Sequence, residues 1–323
     1  MLALLFPGQG SQRVGMARDA AETCAAARAV FEVAERALDL PLARLCFEGP
    51  EEALLATEVQ QPAILAASVA LLRALEERVG APLPVAYLGG HSLGEYTALV
   101  ASGALALEDA LRLVRARGAY MQEAVPAGVG AMAAILGSDP ETVEAACARA
   151  RERTGAWVEP ANFNAPGQTV ISGHAEAVER ACEEARGAGA RRATRLAVSA
   201  PFHCRLMAPA AERLAADLAR VRFADPKPPV VANVTAEPAA DAAALPELLR
   251  RQVTEPVRFT AMVERLAALG VRRVLEIGPS KVLAPLVARI APELARASVT
   301  GVGELEAAAA LVAAREPERD TSD

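Results

Sequence analysis

The chain has 323 residues and a formal charge of −6, so it lacks the basic face that nucleic-acid binding needs. Hydrophobic residues make up 53% and charged residues 23%, a globular composition, and no window approaches the ~20 apolar residues of a membrane span. The five cysteines (Cys24, Cys46, Cys147, Cys182, Cys204) form no CxxC pair and fit a reducing cytoplasm, and with three histidines no metal centre is expected.

Leu2–Phe6 reads as a buried first strand that runs straight into Pro7-Gly8-Gln9-Gly10; no basic leader precedes it, so it is not read as a signal peptide. A long helix is predicted from about Arg13 to Leu38, and a second from about Ala63 to Arg78. Val85–Gly89 is a short apolar strand before Gly90. Helices from Gly94 to about Ser102 and over Leu107–Ala124 follow.

The middle of the chain changes rhythm. Gly130–Leu136 is a strand candidate. Val143, Ala146, Cys147 and Ala150 mark a helix over Pro140–Arg151. Trp157–Asn162 and Gln168–Ser172 read as strands joined by the turn Asn164-Ala165-Pro166-Gly167. Val178, Ala181, Cys182 and Ala185 mark another helix, and Arg195–Ser199 closes with a strand. The order β-α-β-β-α-β is the ferredoxin-like split motif. Residues 126–199 are therefore expected to be a small subdomain inserted into a larger α/β unit of residues 1–125 and 200–314. Strands at Val230–Val234 and Val274–Ile277, with a helix over about Phe259–Leu269, resume the α/β alternation. The charged tail, 315–323, is expected to be disordered.

Gly90-His91-Ser92-Leu93-Gly94 is a G-x-S-x-G match between a predicted strand and a predicted helix, the setting of a nucleophile elbow. Such a turn lifts the serine hydroxyl into the open, and the following helix directs its positive end at it. The competing reading is a glycine-rich loop with a capping serine. A serine nucleophile needs a base. His91 adjoins Ser92, and neighbours on a sharp turn point apart. His174 opens a helix, where a capping or surface role fits. His203, in Ser199-Ala200-Pro201-Phe202-His203-Cys204 at the end of a predicted strand, is the best candidate by elimination; a structural loop histidine is its alternative. An oxyanion needs two donors. The Leu93 N–H follows from the elbow. The second is expected from the loop Phe6-Pro7-Gly8-Gln9-Gly10-Ser11-Gln12, which also reads as a plain turn capping the first helix.

Several segments together carry a likeness: Phe6 to Gln12, Gln61-Pro62-Ala63, Gly90-His91-Ser92-Leu93-Gly94-Glu95-Tyr96, Arg117-Gly118, Asn162-Phe163-Asn164 with Pro166-Gly167-Gln168, Phe202-His203, and Glu276-Ile277-Gly278-Pro279. In this order, from about residue 4 to about residue 310, they resemble the malonyl-CoA:acyl carrier protein transacylases and the related acyltransferase domains of polyketide synthases. The resemblance implies an α/β-hydrolase-like large subdomain with the ferredoxin-like insert. It implies Ser92 as acylated nucleophile, His203 as base, and Leu93 and Gln9 as oxyanion donors. The main-chain carbonyl of Gln252, in Gln252-Val253-Thr254-Glu255-Pro256-Val257, replaces the usual acid that orients the histidine. Arg117 would pair with a malonyl carboxylate, a planar fork on a planar anion. Taken alone, beside Arg112 and Arg115, Arg117 reads as part of a solvated helix face. Gln61, His91, Asn162 and Phe202 would complete the substrate site, Phe202 leaving little room for an α-methyl group.

The implied reaction is ping-pong transfer of malonyl from malonyl-CoA to the phosphopantetheine thiol of acyl carrier protein, for fatty-acid or polyketide synthesis, by a cytoplasmic monomer without cofactor. An esterase or thioesterase, an acyltransferase for methylmalonyl, and a non-enzymatic scaffold for acyl carrier protein are the competing readings. Arg186, Arg191, Arg192 and Arg195 form a candidate basic patch for an acidic carrier, against the plainer reading of a solvated connection.

Overall fold

The computed structural model describes residues 1–80, 82–198 and 200–314. Among these, ten strands follow in chain order: β1 (Leu2–Phe6), β2 (Val85–Gly90), β3 (Gly130–Leu136), β4 (Val158–Ala165), β5 (Gln168–His174), β6 (Arg192–Arg195), β7 (Val230–Val231), β8 (Pro238–Ala239), β9 (Arg273–Ile277) and β10 (Ala295–Val299). Six form one sheet, in the order β10-β9-β1-β2-β7-β8, and four form another, in the order β4-β5-β3-β6.

The large sheet is parallel except for β8. Parallel strands are covered on both faces, so their sequences are continuously apolar instead of alternating. β1 shows this: all five residues are buried. Leu2, Leu4 and Phe6 enter one core with the helices Ala25–Leu38 and Thr57–Val79. Ala3 and Leu5 enter a second core with Phe259, Met262, Val263 and Leu266. β1 and β2 are parallel neighbours with Phe6 opposite Gly90, so the loops that leave them lie at the same edge of the sheet. Chain connections diverge there, where α/β folds place their ligands.

The small sheet has the ferredoxin-like order and is antiparallel throughout. The apolar spacings read in its helices face inward. Val143, Ala146, Cys147, Ala150, Val178, Ala181, Cys182 and Ala185 all pack on Ala131, Ala133, Ile135, Val158 and Ile171 of the sheet. Its edge strand β4 is stitched to the large part at Val257: the Phe163 N–H donates to the Val257 carbonyl, and the Val257 N–H to that of Ala161, both at 2.9 Å.

Some elements depart from the sequence reading, each for a local reason. The helix expected over 13–38 is two helices, Arg18–Thr23 and Ala25–Leu38. Cys24 between them is extended, and its Sγ caps the second by accepting the Ala27 N–H. The helix expected from Ala63 starts at Thr57. Pro62 sits in its second turn, where it removes one ladder bond without ending the helix. β4 runs on to Ala165, so Asn164 and Ala165, expected in the turn, lie on the strand with Asn162. The strand expected over 195–199 is β6, Arg192–Arg195, because pairing with β3 ends at Ala133; Ser199 lies outside the described residues. β7 stops at Val231, since the chain reverses between Ala232 and Ala236, whose φ is 56°. The tail, 315–323, also lies outside the described residues. Among the described residues, no helix is long and apolar enough to cross a membrane.

Candidate active site

Ser92 stands at the sharp turn between β2 and the helix Leu93–Ala101, with φ 53° and ψ −106°. Such a conformation in a residue with a Cβ costs about 1–3 kcal/mol and persists only where its surroundings enforce it. Two features do so. A Cβ on Gly94 would lie 1.9 Å from the Phe6 carbonyl oxygen, so only glycine lets the elbow close onto β1. The buried Asn233 side chain then bridges the turn: its Oδ1 accepts the Ser92 N–H at 2.7 Å, and its Nδ2 donates to the Gly90 carbonyl at 2.8 Å. Leu93 opens the helix, so its N–H has no intrahelical acceptor.

His203 approaches from the far side of the sequence. Its Nε2 lies 2.8 Å from Ser92 Oγ, and its Nδ1 lies 2.8 Å from the Gln252 main-chain oxygen. A carbonyl only accepts, so Nδ1 carries the proton and Nε2 presents its lone pair to the serine hydroxyl. Burial, and then the nearby Arg117 charge, push the His203 imidazole down to about 3. The base is therefore neutral near pH 7.

Arg117 is fully buried. Its helix, Leu107–Glu123, approaches the helix Thr57–Val79 closely at Gly118, where a Cβ would lie 2.5 Å from the Thr57 carbonyl oxygen. That approach sets Arg117 beside Gln61, whose Oε1 accepts from Nη1 at 2.7 Å. Nη2 donates to Ser92 Oγ and to Gln252 Oε1, both at 3.0 Å. The Tyr96 ring lies 5.6 Å away. All three hydrogen-bond partners are neutral, and among the described residues no carboxylate forms an ion pair with Arg117. Isolated buried cations are expensive. The guanidinium is thus a ready receptor for an anion next to the nucleophile.

A cleft of about 510 Å³ opens over Ser92, lined among others by Gln9, His91, Asn162, Phe202 and His203. His91 is fixed by Asn164, with Nε2 2.8 Å from Oδ1. Gln61, Leu93, Arg117 and Gln252 lie behind this lining. His174 sits apart from the cleft lining, its Nδ1 accepting the Trp157 N–H at 2.9 Å. In the arginine patch, Arg195 pairs with Glu179 at 3.2 Å, and Arg186 donates to the Ala193 carbonyl. Sequence reasoning assigned no role to three site residues. Asn233 follows a two-residue strand and carries no motif signal. Asn164 reads as part of a turn, which gives it no site role. Glu95 was visible as an acid in an otherwise apolar helix, Leu93–Ala101, and that oddity was the available clue.

The acyl transferase domain model matches residues 3–313. The malonyl CoA-acyl carrier protein transacylase of Escherichia coli (strain K12) is 47% identical over 310 residues, covering 96% of this chain and 99% of that protein. The transacylase of the same name from Bacillus subtilis (strain 168) is 45% identical over 95% of this chain and 96% of its own length. Among solved structures, an acyl carrier protein S-malonyltransferase from Vibrio cholerae superposes with a TM-score of 0.92 at 46% identity, covering 95% of this chain and 99% of that one. A malonyl-transacylase solved in complex with a type II PKS acyl-carrier protein gives 0.91 at 46% identity, over 95% and 98%.

Proposed function

The chain belongs to the acyl transferase domain family, and from that premise we propose that it carries malonyl groups from malonyl-CoA to the phosphopantetheine thiol of an acyl carrier protein. One observation carries the choice of malonyl: a buried guanidinium, 3.0 Å from the candidate nucleophile, that among the described residues forms no ion pair with a carboxylate. The malonyl carboxylate pairs with Arg117, which turns the thioester carbonyl toward Ser92. Ser92 Oγ attacks that carbon while its proton passes to His203 Nε2. The N–H groups of Leu93 and Gln9 receive the developing oxyanion. The C–S bond then breaks, and the CoA thiolate takes the proton from Nε2 and leaves as a thiol. In the second half the carrier thiol gives its proton to Nε2 and attacks the malonyl ester, returning Ser92 to its hydroxyl form.

The substrate also tunes the base. After burial, the Arg117 charge is the next cause that weakens His203. A carboxylate seated on the guanidinium cancels that contribution, so His203 becomes a stronger base when malonyl, but not acetyl, is bound. Phe202, buried against the cleft, limits room for an α-methyl group. Gln61 holds the guanidinium, while His91 and Asn162 line the path of the acyl group. Residues 126–199 act as an inserted subdomain that supplies one wall of the cleft through Met132, Asn162 and Leu196. The enzyme is read as a cytoplasmic monomer; its five buried free cysteines suit a reducing compartment.

Peptide mass spectrometry after mixing with malonyl-CoA tests the reading. The peptide containing Ser92 gains a malonyl group, and Ser92→Ala abolishes the gain. An unmodified Ser92 peptide sinks the proposal. Release of free malonate at the rate of CoA release, with carrier present, favours the hydrolase instead.

A further inference from the structure

Glu95 is an acid that the mechanism above does not use, and it is almost completely buried, with 3% of its surface exposed. A glutamate in the first turn of a helix usually folds back onto the N-cap N–H or simply favours the helix dipole. Neither accounts for this one. The N-cap N–H, that of Ser92, goes to Asn233 instead. Glu95 Oε2 reaches two other segments, accepting from Gln252 Nε2 at 2.7 Å and from the Asn233 N–H at 3.1 Å.

A carboxylate accepts and does not donate. Gln252 must therefore turn its NH₂ toward Glu95, and the same NH₂ donates to the Ser92 carbonyl at 2.9 Å. This leaves Gln252 Oε1 facing Arg117 Nη2 at 3.0 Å. With the amide reversed, NH₂ would face guanidinium, donor against donor, and Arg117 would lose an acceptor. The main-chain oxygen of the same Gln252 orients His203, and the Asn233 held by Glu95 spans the elbow. One carboxylate thus meets the supports of the nucleophile, the base and the anion receptor.

We propose that ionised Glu95 is a positioning residue of the transfer reaction: it fixes the Gln252 amide and through it the aim of Arg117 and the seat of His203. The inference rests on the reading of Arg117 as the malonyl receptor. It predicts a pH signature. Burial pushes the Glu95 carboxyl up to about 7, against the opposing pull of Gln252, Asn233 and Arg117. Among the other ionisable groups of the network, burial raises Tyr96 on the same helix and lowers Arg117 and His91, and His203 falls to about 3.

The test is kcat/KM for malonylation of Ser92 from pH 5.5 to 8.5, in wild type and in Glu95→Gln. A glutamine fits the same space but carries an NH₂ beside its oxygen, so it removes the charge and no longer obliges Gln252 to present its NH₂. In wild type the rate rises with pH through a limb near 7. In Glu95→Gln that limb is absent and the rate at pH 8 is roughly 10–100-fold lower, the scale of a misplaced reacting group. A flat wild-type profile overturns the proposal even if the variant fails to fold, and so does a limb that survives in a folded variant. If wild type shows no malonylation at any pH, the functional reading fails instead.

Discussion

Replacing Arg117 with alanine separates binding of the acyl group from the chemistry performed on it. The guanidinium makes three hydrogen bonds, to Gln61, Ser92 and Gln252, and its Nη2 lies 3.0 Å from Ser92 Oγ, within reach of an acyl tail bound there. Without it, a malonyl carboxylate enters a buried site with no counter-charge. Truncating one partner of such a pair costs about 2–5 kcal/mol, so kcat/KM for malonyl-CoA falls roughly 30- to 5,000-fold. Acetyl-CoA brings no carboxylate and loses nothing on that account. It gains from the second effect: the Arg117 charge no longer weakens His203, whose imidazole moves up toward its ordinary 6.5. Acetyl transfer therefore holds or rises near neutral pH, and the acid limb of its rate moves to higher pH. Quenched-flow mixing followed by intact mass measures both acyl-enzymes over pH 5 to 8. Arg117→Lys is the companion variant; it keeps the charge but not the fork, and recovers part of the malonyl preference. Equal losses for malonyl and acetyl would refute the reasoning, because they would make Arg117 a structural prop for Ser92 and nothing more.

Two further outcomes follow from burial in the same region. Glu95 is raised from its ordinary 4.5 to about 7, so the folded chain holds this proton more tightly than the unfolded one. Stability from this source is complete below pH 4.5 and is lost as pH rises through about 7. Glu95→Gln escapes that loss, and urea unfolding should find it more stable than wild type at pH 8 by up to about 3 kcal/mol, the gap closing toward pH 4.5. A constant gap across pH would contradict the burial argument. Phe202→Ala widens the cleft beside His203, and competition between methylmalonyl- and malonyl-CoA should shift toward the former by about 10–200-fold, the worth of one methyl group. An unchanged ratio would show that the ring does not set the limit.

The sequence revealed elements with strong local periodicity. The two helices of the small sheet are legible because their apolar residues recur at helix spacing and face one core with Ala131, Ala133 and Ile135 of β3. Ser92 is legible because glycine on both sides of a serine between strand and helix has a steric reason. His203 emerged because the chain has so few histidines. Gln252 was reached only through resemblance, since a main-chain oxygen has no residue signature. Asn233 was missed because it stands past a two-residue strand, where neither period 2 nor 3.6 can register. Arg117 shows the limit most clearly. Its helix reads as charged and solvated, and only the glycine that follows hints that a second helix covers it.

The placement of both roles on Gln252 has a consequence for how such an enzyme diversifies. The oxygen that orients the base belongs to the main chain, and no codon change at 252 deletes it. The amide that steadies the anion receptor belongs to the side chain and is open to every substitution. The acceptor that orients the base is thereby shielded from drift at a position where the side chain that steadies the anion receptor is exposed to it. A lineage can trade one acyl group for another here without passing through a form that has lost its base.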